Sequence, residues 1–184
     1  MKYIGITGAR RAGKDTFATL LKQVTSKQVI NYAFANALKG DLSDLFRDKF
    51  NADIHTLDGD IKEKLRPIMI AYGCAWREID PLHWVKEVMN AIDTWDKMDK
   101  DNNLIHCICD VRFKNEAEYL KNKYGNEFFL INIVRIDGPE PTEEEKRHIP
   151  ELEKISNYTL TWETTPDLVS LQPIVEEIYK KYIS

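Results

Sequence analysis

"YIGITGARRAGKDTFATLL" occupies residues 3–21, and its reading decides the fold. Tyr3 to Thr7 have the composition of a short β-rich run, and they lead directly into a glycine. "GARRAGKDT" (8–16) then follows the spacing G-x-x-x-x-G-K, with Asp15 and Thr16 after the lysine. "KDTFATLLKQV" (14–24) carries Phe17, Leu20, Leu21 and Val24 at helical spacing. A bend from strand into helix leaves several backbone N–H groups without intrahelical partners, and the helix dipole adds to their attraction for anions. Gly8 and Gly13 let the main chain wrap closely around a phosphate, while Lys14 reaches its outer oxygens as a point charge. The stretch therefore predicts a phosphate-binding loop. Asp15 stands where a hydroxyl normally ligates magnesium. A carboxylate suits that ion directly or through water, and it equally complements a helix N-terminus; the sequence leaves both readings open.

Outward from this stretch, strand and helix patterns alternate. "VINYAF" (29–34) reads as a strand, and "NALKGDLSDLFRDKF" (36–50) as a helix capped by Asn36. "NADIHTLDGD" (51–60) is rich in turn residues. A helical region covers about 61–73, with Pro67 marking a kink or restart, and a turn at "GCAWREID" leads into a helix over about 81–97. "NLIHCICDV" is a continuous buried strand, and "KNEAEYLKNKYG" a helix closing at Gly125. "EFFLINIVRI" is a fourth strand, Thr142 and Glu145 form a capping-box pattern, "YTLTWE" is a fifth strand, and 167–183 a closing amphipathic helix. Apolar middle strands between helices mean a parallel sheet covered on both faces. The expectation is one α/β domain over residues 1–184. It has the three layers of a P-loop NTPase fold, a five-stranded parallel sheet, an acceptor-binding helical region at about 36–97 and a short lid at about 137–150.

The composition, 43% hydrophobic and 30% charged over 184 residues, suits one ordinary globular domain with a single core. A net charge of −4 argues against a nucleic-acid polymer as partner, so cationic character needed for phosphate must be local. The apolar stretches fall short of a membrane span, and the opening residues do not form a signal peptide. Cys74, Cys107 and Cys109 fit reduced thiols, which predicts a cytoplasmic protein. Cys107 and Cys109 face one side of their strand and suit core packing, with His106 on the opposite face.

Phosphoryl transfer needs an acid that organises metal and cations for both substrates. Asp110 ends a buried strand, where the carboxyl edge of a sheet meets a loop. That place suits an acid acting on magnesium or its waters, and also a cap for the next helix. Arg66, Arg77 and Arg112 lie near element ends, and together they could converge on a second phosphate with geometry that lysine cannot copy. Segment 137–150 is polar, is bracketed by prolines and carries Arg147 and His148 close to Arg135. Its closure would exclude water and add a cation to the transferring group.

"GARRAGKDTFATLL", "FANALK", "LRPIMIAYGCAWREIDPLHWV" and "DVRFKNEAE", in this order and spacing, resemble the phage-type deoxynucleoside monophosphate kinases over residues 4 to about 155. The lysine-aspartate pair after the second loop glycine is itself a feature of that family. The resemblance implies transfer of the γ-phosphoryl of ATP to a deoxynucleoside 5′-monophosphate, in the host cytoplasm if the chain is phage-encoded. By matching motifs, Lys14 and the loop residues Gly8, Arg10, Arg11, Ala12, Gly13, Asp15 and Thr16 would hold ATP. Asp15 and Asp110 would organise Mg2+, and Lys14, Asp110 and Arg112 would form the catalytic set. Lys39, Arg66, Arg77, Arg112, Arg135 and Arg147 would serve the substrates, with Trp84 or Trp76 against the acceptor unless they are core. The resemblance also carries a habit of homodimerisation, on which composition is silent. The chain departs from the pattern at Pro150, where a small residue is expected before Glu151, and at Ile70, where a polar residue is expected; a helical insertion of longer members is reduced. Two other readings compete. One is a P-loop kinase for another phosphorylated small molecule such as phosphomevalonate, whose family also places Asp after the loop lysine. The other is a non-catalytic nucleotide-binding module.

Overall fold

The computed structural model describes residues 2–162 and 168–184. In chain order the elements are β1 (Tyr3–Thr7), α1 (Lys14–Val24), β2 (Gln28–Tyr32), α2 (Phe34–Phe50), α3 (Gly59–Ile79), α4 (His83–Met98), β3 (Leu104–Ile108), α5 (Lys114–Tyr124), β4 (Phe128–Arg135), α6 (Glu143–Ile155), β5 (Tyr158–Trp162) and α7 (Leu168–Ile178). The expected strand residue Glu163 and helix residue Asp167 lie outside the described residues.

Two compact units emerge, one made of the chain up to Tyr32 with Thr94–Ser184, the other of Ala33–Asp93. The first holds a five-stranded parallel sheet in the order β2-β3-β1-β4-β5. β1 is the central strand and is buried at every position. The chain leaves β1 toward β2 on one side and, after β3, crosses to β4 on the other. The carboxyl end of β1 is therefore the switch point, where open α/β sheets present a crevice to ligands.

Alternation along the strands assigns the two faces. Ile105 and Cys107 of β3 and Cys109 just past it join Phe129, Ile131 and Ile133 of β4 in a core with Phe17, Leu20 and Leu21 of α1 and Val175 and Ile178 of α7. Cys107 and Cys109 are buried there with sulfurs 3.8 Å apart, which bears out packing for this pair. His106, fully buried, sits on the other face. Its Nε2 lies 3.0 Å from Asp96 Oδ1 and its Nδ1 3.0 Å from the Tyr32 hydroxyl, while Asp96 also accepts from Tyr3 at 2.7 Å and pairs with Lys2 at 2.8 Å.

In the helical unit, Leu42, Phe46 and Ile54 are buried against half-buried Leu38, Leu65, Ile68, Met69 and Tyr72. Two expectations are corrected here. α2 starts at Phe34 from an extended Ala33, so Asn36 lies in the first turn and is not the cap. α3 is one helix from Gly59 to Ile79, running through Pro67 and Gly73. Pro67 removes one ladder bond but does not end the helix, because apolar residues on either side of it pack in the same cluster. Gly73 has no side chain to keep Leu38 away; a Cβ there would come within 2.7 Å of Leu38 Cδ1. The true stop is Asp80, extended ahead of Pro81.

Candidate active site

The loop after β1 is built by close approaches that only glycine permits. Gly8 has φ 136°, and a Cβ on it would collide with the Ile133 carbonyl of β4. Gly13 has φ 95°, and a Cβ on it would collide with the ring of Trp162. Arg11 completes the bend at φ 58°. α1 then begins at Lys14 with no side-chain cap at its N-terminus, so its first N–H groups face the loop. Asp15 is the acidic residue of that first turn.

Lys14 folds back into the loop, donating to the carbonyls of Gly8 at 2.8 Å and Ala9 at 2.7 Å. Burial lowers its proton affinity and Arg112 lowers it further, against the raising influence of Glu145, Asp15 and Asp110. A lysine so placed is a desolvated cation among three carboxylates and one guanidinium, all from the sheet's carboxyl edge or the helices beside it.

Two cavities flank this lysine. One is bordered by Lys14, Asp15, Thr16, Arg135 and Trp162. The other is bordered by Lys14, Thr7, Arg112, Phe113, Glu145 and His148. Arg135 enters the first as a partner of Asp137, with Nε 2.8 Å from Oδ1; that hydrogen bond holds the Asp137 carboxyl below its usual range. Arg112 reaches the second from a turn fixed by buried Glu116, whose Oε2 accepts the backbone N–H of Arg112 at 2.8 Å and of Phe113 at 3.1 Å. The side chain of Arg112 itself is exposed. Phe113 meets the His148 ring edge-on at 4.8 Å.

The expected lid proves to be a turn followed by α6, and the capping box forms between Thr142 and Glu145. Burial opposes the charge on Glu145, yet hydrogen bonds from Thr142 and from the Arg10 backbone hold its carboxyl below the usual range. The Arg10 N–H donates to Glu145 Oε1 at 2.7 Å, so a carboxylate from α6 occupies an amide of the loop after β1.

Other expected residues fall elsewhere. Arg147 is exposed and does not border the two cavities; His148, one position on, does. Trp84 is 2% exposed and its indole donates to the Gly73 carbonyl at 3.2 Å, so it packs within the helical unit and offers no face to an acceptor. Trp76 is half-buried and stacks on His83 at 4.2 Å. Lys39 is half-buried on α2. Arg66 is exposed and pairs with Glu63 at 3.5 Å, whereas Arg77 lies in the last turn of α3, not in a loop. Three helical turns, about 16 Å, separate Arg66 from Arg77 on one face.

A protein-family model described as phosphomevalonate kinase matches residues 6–126, a span from β1 past the loop, the helical unit and Asp110 into the turn after α5. The chain belongs to the phosphomevalonate kinase family. Its fold is that of P-loop kinases, as the strand order and the loop had indicated. Among solved structures, a sugar kinase from a Janibacter species is similar at 10% identity, with TM-score 0.51, covering 100% of this chain and 94% of that one. A dephospho-CoA kinase from Campylobacter jejuni is similar at 12% identity, with TM-score 0.51, covering 98% of this chain and 97% of that one. Identities this low speak to the fold alone. No curated protein sequence matches the chain.

In this member of the phosphomevalonate kinase family, sequence reasoning missed Glu145 as a loop ligand, Thr7 as a cavity wall and Trp162 as the floor beneath Gly13. Glu145 was visible only as a cap. Nothing local marked Trp162, since its partner Ala12 lies 150 positions away.

Proposed function

We propose that the protein transfers the γ-phosphoryl group of ATP to a deoxynucleoside 5′-monophosphate, releasing ADP and a deoxynucleoside diphosphate. The observation that carries this reading is that Lys14 borders two cavities, one walled by Arg135 and the other by Arg112. Phosphates of ATP lie over the loop N–H groups with the nucleoside toward Arg135, and the acceptor phosphate lies toward Arg112. The acceptor oxygen is already ionised and needs no strong base, so the chain's work is alignment and charge neutralisation. Lys14 stays beside the phosphoryl group as it passes between the cavities. To Asp15, Asp110 and the Thr16 hydroxyl we assign magnesium, since oxygen-only sets with two carboxylates suit that ion and both carboxylates act on the neighbouring Lys14. Magnesium there would neutralise the β- and γ-phosphate oxygens.

The family match favours a second reading, in which the acceptor is phosphomevalonate. An acceptor panel with ATP and magnesium separates them, reading ADP release for each common deoxy- and ribonucleoside monophosphate and for phosphomevalonate. Turnover of a deoxynucleoside monophosphate is expected. Turnover of phosphomevalonate alone would transfer the assignment to the second reading, and ATP binding without any transfer would leave a nucleotide-binding module.

A further inference from the structure

We infer that Trp162 is a positioning residue that aims a backbone N–H of the loop at bound phosphate. Trp162 is the last residue of β5 and is 5% exposed. It pairs in register with Arg135 of β4, and its carbonyl accepts the Ile136 N–H at 3.1 Å, so the sheet holds its backbone. Its indole N–H donates to the Ala12 carbonyl at 2.7 Å. The ring lies directly against Gly13, where a Cβ would collide with it.

The described chain has no cis peptide bonds, and in a trans peptide the C=O and N–H vectors point in opposite directions. Accepting the indole N–H turns the Ala12 carbonyl toward Trp162 and therefore turns the Gly13 N–H away from it, at a residue that itself borders the cavity shared with Lys14 and Asp15. Gly13 at φ 95° lets that peptide rotate without a steric penalty, so the orientation needs an external hold. Lacking the indole donor, the peptide is free to present its carbonyl to the anion and repel it. An N–H fixed before the ligand arrives needs no reorganisation when phosphate binds. The inference rests on the reading that this loop binds the phosphates of ATP.

The test replaces Trp162 alone, in the full chain, with benzothienylalanine, which keeps the bicyclic shape and substitutes sulfur for the N–H. Trp162→Phe serves as a second variant. Calorimetry with ATP and the Gly13 amide resonance are the readouts. The isostere is expected to weaken ATP binding about tenfold, the scale of one hydrogen bond to a charged group. Its melting temperature should barely change, and the Gly13 resonance should lose the shift that ATP induces in the native chain. Equal ATP affinity and an equal Gly13 shift in a folded isostere variant would overturn the inference while leaving the ATP reading intact. A native chain that binds no ATP would overturn both.

Discussion

Lys14 shows how a single side chain acquires its role from its surroundings. Its spacing after Gly8 was legible, but its desolvation and its place between Arg112 and three carboxylates came from three separate segments. Lys14→Ala is expected to lower turnover by about 100-fold or more with every acceptor, the scale of a lost charge-stabilising donor, with melting unchanged. Steady-state rates and a thermal scan check this. Arg112→Ala should raise the acceptor KM at least about tenfold and leave the ATP KM within about twofold, since Arg112 borders only the Lys14–His148 side of the loop; equal loss for both substrates would remove the assignment. His106 gives a pH dependence. Burial lowers its proton affinity below the usual 6.5, against the opposing pull of Asp96, with Lys2, Tyr3 and Tyr32 in the same network. The folded chain then keeps His106 neutral at a pH where the unfolded chain takes up a proton. Stability is therefore complete above about pH 6.5 and declines as pH falls below it. Urea midpoints between pH 7 and 5 should show that decline, and His106→Gln should flatten most of it.

Among the elements, α6 is the one whose local signal told least of its use. The Thr142–Glu145 box fixed the helix start from sequence because capping involves residues three apart. That Glu145 also accepts the Arg10 N–H depends on α6 lying over the loop, and no local pattern encodes that. On the proposed ATP reading, a carboxylate held on a loop amide competes with the nucleotide's phosphates. Glu145→Gln keeps an acceptor for the cap and removes the charge, so ATP should bind about two- to fivefold more tightly, about 0.4–1 kcal/mol for a partly exposed charge pair. Calorimetry reads the change, and weaker binding would show that the carboxylate assists the nucleotide. α3 teaches the converse. Pro67 and Gly73 read locally as breaks, yet a shared apolar cluster carries one helix across both, and Arg77 moves from a turn onto a helix face.

At the scale of the whole molecule, the two units differ in how deeply they bury their elements. β1 and β3 are buried at every position, whereas α3 buries only Gly73 over 21 residues. Hydrogen exchange should therefore be slowest in β1, β3 and β4 and markedly faster in α3. Mass-spectrometric exchange checks this, and equal protection of α3 and β1 would overturn it.

The sequence by itself determined the parallel α/β class, the glycine-built bend from β1 into α1 and the turn that follows β3. Each depends on periodicity or spacing within a few residues, where backbone geometry leaves little choice. Only the tertiary structure decided that Trp162 seats Gly13, that Glu145 holds Arg10, that His148 rather than Arg147 walls the cavity, and that Trp84 is core. Those relations join residues brought together by the strand order and by the angle at which helices cross the sheet. They are fixed by packing summed over the fold, which no short stretch of chain contains.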